Sequence, residues 1–403
     1  MNPSILLCMG TRPEIIKMAP VYRALKASAL SVQLLHTGQH KEMAWPLYKF
    51  FDMLPDYFLK LERTSGSLAH LSGLLLEEID SVLQKISPAA VLVHGDTSSA
   101  LAATLAAFYR QIAVGHVEAG LRSGAMYDPF PEEKNRELIG RIAHWHFAPT
   151  PIAESSLLRE GLDRKQIYCV GNTIVDATLW GVDYIDKLPE QGITELPPSL
   201  KNLPAALPGK RLILVTAHRR ENWEKGIASV AFAVREALEN DEELCAVWPV
   251  HVNPIVQNSV HHGFAGVSPS VAKRLFLTEP LNYPALLWIM KRAWLILTDS
   301  GGIQEEAMVM RVPVLVLRDT TERPELIAAG GGIMVGTNAT IIGEKIQWLH
   351  AEEHTRKKMC EVKNPFGDGH AADQICDILL RSLTGMHSQE MGDGDGMMRE
   401  RAA

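Results

Sequence analysis

The fold class follows from residues 5–38, which read ILLCMGTRPEIIKMAPVYRALKASALSVQLLHTG. The stretch begins with a short apolar run, continues as a helical pattern and returns to a second apolar run at Ser31. This alternation predicts a strand, a helix and a second strand parallel to the first. Helices cover both faces of a parallel sheet, and the stretch therefore predicts an α/β fold.

The alternation continues to about Gly171, stops, and begins again at Arg211. Residues 187–210 between them are rich in proline and polar residues, which indicates an inter-domain connection rather than core. Two α/β domains in tandem are therefore predicted, with a ligand cleft between the carboxyl ends of their sheets. We expect the first domain to cover residues 1–176 and the second 177–363. A C-terminal helix is expected at about 364–383, and the rest, 384–403, is expected to be disordered.

Composition argues against several classes of protein. The 403 residues carry a formal net charge of -7, which does not supply the basic surface of a sequence-independent nucleic-acid binder. The five cysteines have no C-x-x-C spacing, which indicates neither a structural zinc site nor a disulfide framework. There is no signal-peptide pattern and no apolar run of membrane-spanning length. We expect a soluble cytoplasmic protein that binds neither nucleic acid nor a membrane.

The loop after the first predicted strand is a candidate binding loop. Gly10–Glu14 has the spacing of a capping box, with a proline suited to the first helical turn. The loop places Arg12 at the cleft, and Lys17 lies one turn later. A helix start with no binding role explains the local pattern equally well. Without a G-x-G-x-x-G sequence, a dinucleotide site has little support.

Acidic residues follow two neighbouring predicted strands. Asp96 ends one strand and Glu118 ends the next, so both emerge at the same edge of the sheet, although Asp96 has a helix cap as an alternative role. Glu132, Asn135 and Arg136 share one face of the following helix, where a solvated i,i+4 ion pair is the alternative. Three carboxylates near one cleft are suited to acid/base chemistry.

The second predicted domain contributes basic residues to its sheet edge. His218 and Arg219 follow one strand and His251 follows another. Such an electropositive edge is suited to a diphosphate, although a lone histidine is more often a packing residue. His144 and His146 lack carboxylates at ligand spacing, and we expect no metal site there.

The strongest local signal is LILTDSGGIQEEA, residues 295–307. A predicted strand runs into Ser300, Gly301 and Gly302, and a helix follows. Glycines allow backbone N–H groups to approach a phosphate closely, and the helix N-terminus adds positive potential. Glu306, one turn into the helix, is placed to accept hydrogen bonds from ribose hydroxyls. A tight turn followed by an exposed glutamate is the alternative.

Together these segments resemble the non-hydrolysing UDP-N-acetylglucosamine 2-epimerases over about residues 5–380. The motifs that carry the resemblance are GTRPEIIKMAP, TGQHKEM, VLVHGDT, GHVEAGLRSG, PEEKNR, GNTIVDA, TAHRREN, TDSGGIQEEA, RDTTERPE and NPFGDGHA. The resemblance implies two Rossmann-like domains of the glycosyltransferase-B type, with a C-terminal helix that crosses back to the first domain. It also implies a homodimer that uses no metal and no other cofactor.

The resemblance further implies the reaction and the site residues. The family interconverts UDP-N-acetylglucosamine and UDP-N-acetylmannosamine by eliminating and re-adding UDP through a bound 2-acetamidoglucal, for bacterial surface polysaccharide synthesis. Hydrolysing relatives typically have a G-D-R-x-E first loop, and Thr11 and Pro13 favour the non-hydrolysing branch. The candidate catalytic residues are Asp96, Glu118, Glu132 and His218. The candidate substrate-binding residues are Arg12, Lys17, Asn135, Arg136, Arg219, His251, Ser300, Gly301, Gly302, Glu306 and Arg323. Which carboxylate removes the C-2 proton and which returns it stays open.

The sequence departs from the family pattern at two places. Many bacterial members bind a second UDP-N-acetylglucosamine as an activator through a Q-H-R-x-M-L-D-Q-like stretch. Gln39 and His40 match it, but Lys41 cannot form the bidentate fork of an arginine, so we predict an epimerase that works without substrate activation. Leu281 and Leu286 stand where members often have a glutamine and a phenylalanine near the uracil.

Three other functions share part of this pattern. A hydrolysing epimerase and a glycosyltransferase of the same two-domain shape are the enzyme alternatives, and a catalytically silent nucleotide-sugar sensor is the third. A glycosyltransferase would not require Asp96, Glu118 and Glu132 together. The intact carboxylates also disfavour the sensor.

Overall fold

A seven-stranded parallel sheet forms the centre of the first half of the chain. The computed structural model describes residues 2–39, 41–188, 196–223 and 225–385. The strands of this sheet are β1 (Ser4–Met9), β2 (Ser31–His36), β3 (Tyr57–Phe58), β4 (Ala90–His94), β5 (Ala113–Val117), β6 (Trp145–Ala148) and β7 (Ile167–Cys169). Their order is β3-β2-β1-β4-β5-β6-β7, and every neighbouring pair is parallel.

A six-stranded parallel sheet forms the centre of the second half. Its strands are β8 (Arg211–Thr216), β9 (Leu244–Pro249), β10 (Leu275–Thr278), β11 (Ala293–Thr298), β12 (Val314–Val316) and β13 (Gly332–Met334). The order β10-β9-β8-β11-β12-β13 reverses direction after β8, as the order of the first sheet does after β1. This reversal is the switch point at which doubly wound sheets bind ligands.

Helices cover both sheets. Those of the first half are α1 (Arg12–Ala27), α2 (Lys41–Phe50), α3 (Leu68–Ile86), α4 (Ser98–Tyr109), α5 (Glu132–Ile142), α6 (Pro151–Arg159) and α7 (Thr173–Asp186). Those that follow are α8 (Leu203–Ala206), α9 (Lys225–Asn240), α10 (Pro254–Gly263), α11 (Pro269–Ala272), α12 (Tyr283–Arg292), α13 (Gly301–Val309), α14 (Pro324–Ala329), α15 (Ala339–Ala351), α16 (Glu353–Glu361) and α17 (Ala371–Thr384). Three short 3-10 turns are also present, at Arg164–Gln166, Pro198–Leu200 and Arg220–Asn222.

The central strands are buried because they are continuously apolar. Residues 5–9 of β1 and all of β4 are buried, as expected for strands that helices cover on both faces. The structure therefore confirms the prediction of two α/β units with parallel sheets. No helix among the described residues is long and apolar enough to cross a bilayer.

The C-terminal helix α17 packs against α1 and α7 of the first half, as the resemblance implied. Its first turn is fixed by Asp176, whose carboxylate accepts a hydrogen bond from the Ala372 N–H at 2.9 Å. The helix begins at Ala371 rather than at about 364, because residues 364–370 form turns and irregular backbone, and it ends at Thr384, where Gly385 caps it in a left-handed conformation. The remainder of the predicted tail, 386–403, lies outside the described residues.

The connection between the halves contributes to the core, contrary to the prediction for residues 187–210. Leu200 and Leu203 are fully buried and belong to the main hydrophobic cluster; Leu200 ends the 3-10 turn Pro198–Leu200 and Leu203 begins α8. The predicted boundary between 176 and 177 falls inside α7, which contacts both α1 and α12. The domain limits themselves stay a prediction.

Candidate active site

The loop after β1 is held by one buried glutamate. The Glu14 carboxylate accepts hydrogen bonds from the N–H groups of Gly10 at 2.8 Å and Thr11 at 2.7 Å, which completes the predicted capping box. It also accepts the Thr97 hydroxyl at 2.6 Å, so the loops after β1 and β4 are tied together. The loop does more than start a helix, because the Arg12 guanidinium donates to the Leu281 carbonyl of the second half at 3.3 Å.

Asp96 lies at the carboxyl end of β4, beside residues from α5. The Arg136 guanidinium is 2.5 Å from the Asp96 carboxylate, and the Asn135 amide donates to the Asp96 carbonyl at 2.8 Å. Burial raises the pKa of Asp96, and the negative charges of Glu118 and Glu132 add to the rise against the opposing effect of Arg136. The three predicted carboxylates therefore share one site.

Two alternatives from the sequence are wrong. Thr97, not Asp96, caps α4, because its hydroxyl accepts the Ala100 N–H at 3.0 Å. Arg136 pairs with Asp96 and Glu133 rather than with Glu132, because its guanidinium turns inward from α5 toward the end of β4.

Glu118 is the most constrained of the three acids. It has a φ of 64°, a left-handed backbone conformation that non-glycine residues rarely adopt and that occurs often at functional sites. Its carboxylate pairs with Lys17, and Nε2 of His94 lies 3.6 Å away. Burial opposes ionisation, but Lys17, His94 and Arg323 outweigh it and hold the pKa of Glu118 well below its usual range.

A buried charge network joins these residues to the second half. Lys17 lies 2.9 Å from Glu305 of α13, and Glu305 also pairs with Arg323. The Asn172 amide donates to Glu118 at 3.2 Å and to Glu305 at 3.1 Å. The side chain of Glu305 is fully buried and that of Lys17 is 6% accessible, so the two halves meet at this point through largely buried charges.

Asp299, after β11, organises the basic edge of the second half. Its buried carboxylate accepts the backbone N–H groups of His218 at 3.0 Å and Arg219 at 2.9 Å. The ring of His218 lies nearly parallel to that of His251, with centroids 6.2 Å apart. Burial lowers the pKa of His218 although Asp299 opposes the shift. This edge therefore has two different groups. The half-exposed imidazole of His218 tends to be neutral, and the Arg219 guanidinium lies 3.7 Å from Glu322.

Ser300, Gly301 and Gly302 form the N-terminus of α13, as predicted. A Cβ atom built at Gly302 would meet nothing within 4 Å, whereas one built at Gly301 would lie 3.7 Å from the Arg323 guanidinium, so the helix start has open space beside a cation. The alternative of an exposed glutamate is wrong, because Glu306 is buried. Burial raises the pKa of Glu306 to about 7, against the lowering effect of Tyr283 and Arg12.

A cavity of about 570 Å³ adjoins this end of the site. Arg12 and the backbone of Leu281 reach its wall, and Tyr184, Tyr283 and Phe50 make much of the surface apolar. The two leucines that depart from the family pattern are buried, so their side chains belong mainly to the core. The Leu281 carbonyl is already engaged by Arg12.

The residues expected at the activator site lie only partly within the described chain. The Gln39 side chain accepts the Ser99 hydroxyl at 2.9 Å, which places it beside the first turn of α4. His40 lies outside the described residues. Loss of substrate activation therefore stays a prediction. Within the described ranges, no group of three or more histidine, cysteine or acidic side chains is arranged to hold a metal ion.

Sequence reasoning missed four residues that build the site. Each lies inside a motif that was recognised, but on a side chain that was not singled out: His94, Asn172, Asp299 and Glu305. The available signal was their position at strand ends and first helical turns. Their partners come from other segments, so the local pattern did not reveal them.

Comparison with known proteins agrees with this geometry. A family model described as UDP-N-acetylglucosamine 2-epimerase matches residues 23–380. The UDP-N-acetylglucosamine 2-epimerase of Escherichia coli (strain K12) is 42% identical over 379 residues, which cover 93% of this chain and 98% of that protein.

Solved structures show the same architecture. That of the UDP-GlcNAc 2-epimerase from Neisseria meningitidis, bound to UDP-GlcNAc, has a TM-score of 0.85 at 37% identity, over 94% of this chain and 100% of that chain. The enzyme from Methanocaldococcus jannaschii in complex with UDP-GlcNAc and UDP has a TM-score of 0.74 at 35% identity, over 94% and 99%. The match over nearly the whole length, together with the acids and the glycine-rich helix start, shows that this chain belongs to the UDP-N-acetylglucosamine 2-epimerase family.

Proposed function

We propose that the protein is a non-hydrolysing epimerase that interconverts UDP-N-acetylglucosamine and UDP-N-acetylmannosamine. The observation that carries the proposal is a pair of neighbouring acids whose surroundings push their pKa values apart, upward for Asp96 and downward for Glu118. Such a divergence is typical of an acid and a base at one active site. Both acids lie at the sheet edge that faces the N-terminus of α13.

The reaction needs one group to remove the C-2 proton and another to deliver a proton to the opposite face. In the proposed elimination, the C-2 proton is taken up by a carboxylate, a carbon–carbon double bond forms between C-1 and C-2, and the C-1–oxygen bond breaks with its electrons remaining on UDP. Addition reverses these steps: C-2 gains a proton on the other face and a UDP oxygen bonds to C-1. Asp96 and Glu118 are assigned the two proton transfers, one on each face of the sugar ring, with Glu132 as the third acid.

The leaving diphosphate requires positive potential that is already in place. Ser300, Gly301 and Gly302 supply backbone N–H groups at a helix N-terminus, and Arg12 and His218 lie beside them from the two halves. Glu306 is assigned to the ribose hydroxyls. The remaining substrate contacts are assigned, from the resemblance, to Lys17, Asn135, Arg136, Arg219, His251 and Arg323.

We assign the enzyme to the cytoplasm, to surface polysaccharide synthesis and to a homodimer by the same resemblance. Exposed apolar side chains support a homodimer: Phe108 and Tyr109 end α4 with 54% and 66% of their surface accessible, and Leu138 on the adjoining α5 has 51%. Large exposed apolar groups of this kind often mark protein contacts. Light scattering during size-exclusion chromatography tests this assignment, and a monomer mass would contradict it.

The reaction is tested by incubating the protein with UDP-N-acetylglucosamine in deuterated water and following the mixture by NMR. Deuterium at C-2 of two interconverting UDP-sugars is the expected result. Stoichiometric free N-acetylmannosamine would instead identify a hydrolysing epimerase. Absence of both exchange and product would rule out epimerisation and favour a glycosyltransferase or a sensor.

A further inference from the structure

Asn172 is buried where the two halves meet and uses both ends of its amide. It precedes α7 as the N-cap, and its Oδ1 accepts the Ile174 N–H at 3.1 Å. Its Nδ2 donates to Oε2 of Glu118 at 3.2 Å and to Oε1 of Glu305 at 3.1 Å. The cap fixes which end of the amide is oxygen, so the two N–H groups must point at the two carboxylates.

Glu118 depends on such contacts for its orientation. Its left-handed backbone places it outside any helix or strand, and the side chain is held by the groups that it contacts. Asn172 follows β7 of the first half, and its second N–H reaches Glu305 of α13, so it links Glu118 to the second half. A neutral donor between two carboxylates satisfies both without changing the net charge of the network.

We propose that Asn172 is a positioning residue that orients Glu118 for proton transfer and couples this orientation to the second half through Glu305. The inference rests on the proposed function, because it assigns Asn172 a role through the carboxylate that handles the C-2 proton. Asn172 itself does not exchange protons. It holds one carboxylate oxygen of Glu118 in place at the cleft that the two halves form.

The charges around Glu118 determine what a substitution at Asn172 does. The charged or titratable groups that face it from the surrounding elements are Lys17 of α1, His94 of β4, Asp96 of the loop after β4, Glu305 of α13 and Arg323 before α14. Asn172→Asp removes both amide donors and adds a negative charge among these groups. Loss of a donor and gain of a like charge both favour the protonated form of a carboxyl group.

The test compares Asn172→Asp with Asn338→Asp in the full-length protein. Asn338 caps α15 by accepting the Ile341 N–H at 3.2 Å, and it lies outside the site. Aspartate caps a helix about as well as asparagine, so both variants keep their caps. We expect kcat to fall about 10- to 100-fold in Asn172→Asp only, the usual scale for loss of a supporting contact to a functional group. In the pH profile of kcat/KM, the acid limb, where the rate falls at low pH, should move to higher pH. The affinity for UDP should remain near that of the unmodified protein.

Asn172→Ser is a second variant in case the first does not fold. Serine caps α7 without adding charge, so kcat should fall while the acid limb moves less than in Asn172→Asp. The inference is overturned if the unmodified enzyme is active and the Asn172→Asp variant has the same kcat and pH profile as Asn338→Asp. A loss of kcat with an unmoved acid limb would also overturn it, because a merely structural role predicts that result. If the unmodified protein shows no exchange at C-2, the proposed function fails first, and the two failures are thereby distinguished.

Discussion

At the scale of single residues, the surroundings of two chemically similar carboxylates shift their pKa values in opposite directions. Asp96 has one close cation, Arg136, and two neighbouring acids, and burial raises its pKa. Glu118 has Lys17 and Arg323 close by, and its pKa falls despite burial. Such opposite shifts are typical of an acid and a base at one active site, which is the basis of the roles proposed for these two residues.

Removing either charge should stop proton transfer. We expect Asp96→Asn and Glu118→Gln each to lower kcat at least about 100-fold, the usual scale for a positioned acid or base. Binding of UDP, measured by calorimetry, should survive because the cradle at α13 is untouched. Asp80→Asn is the matched control, since Asp80 forms an ion pair with Arg110 on the surface. Near-normal turnover in either site variant would remove that residue from the catalytic set.

If Glu306 accepts the ribose hydroxyls as proposed, nucleotide binding should depend on pH. Burial raises its pKa to about 7, so its carboxylate form predominates only above that pH. Affinity for UDP-N-acetylglucosamine should weaken about tenfold as pH falls through this range, because a hydrogen bond to a charged acceptor becomes a neutral one. Calorimetry on either side of neutrality measures the change. Glu306→Gln should abolish most of it, and an equal pH dependence in that variant would contradict the assignment.

At the scale of elements, length decided which strands the sequence revealed. The central strands β1, β4, β8 and β11 are apolar runs of five or six residues, and such runs are easily recognised. The edge strands β3, β7 and β13 have only two or three residues, which is too short for a pattern. Asn172 follows one of these short strands, which explains why its position at a strand end was not noticed.

Besides its packing, helix α17 is held to the first half by a cap from Asp176 that sequence alone did not indicate. Asp176 lies on α7 and accepts the Ala372 N–H across a large separation in sequence. Asp176→Ala should lower the free energy of unfolding by about 1–3 kcal/mol, the cost of an unsatisfied buried donor. Urea unfolding measures the loss, and amide hydrogen exchange should show it first in α17. Asp176→Asn retains an acceptor and should lose much less, so equal losses in the two variants would refute this role.

At the scale of the whole molecule, the two halves meet through buried charges. Lys17, Glu118 and Asn172 come from the first half, and Glu305 and Arg323 from the second. The sequence predicted that both sheets face one cleft, because parallel strands all end at the same edge. It did not predict which side chains pair across the cleft, since that depends on how the two sheets are oriented to each other.

Glu305 is the member of this network that touches cations from both halves. Glu305→Ala leaves Lys17 and Arg323 buried with one partner fewer, and removing one partner of a buried pair typically costs about 3–5 kcal/mol. Urea unfolding should show a loss of this size. The exposed Glu344 of α15 provides the control, because Glu344→Ala should change stability by about 0.5 kcal/mol or less. Unfolding at the same urea concentration in the two variants would argue against the network as a stabilising contact.

Burial of these charges also determines how the molecule responds to ionic strength. Dissolved ions screen charges that they can surround, and they screen buried pairs much less. The Lys17–Glu305 contact, with 6% and 0% of the two side chains accessible, is therefore shielded from salt, whereas the Arg219–Glu322 pair, with 28% and 19% accessible, is shielded less. The loss caused by Glu305→Ala should be the same in dilute and concentrated salt. The enzyme would then keep its two halves joined in media whose ion content changes, while the attraction of a charged nucleotide to the outer edge of the site follows those changes.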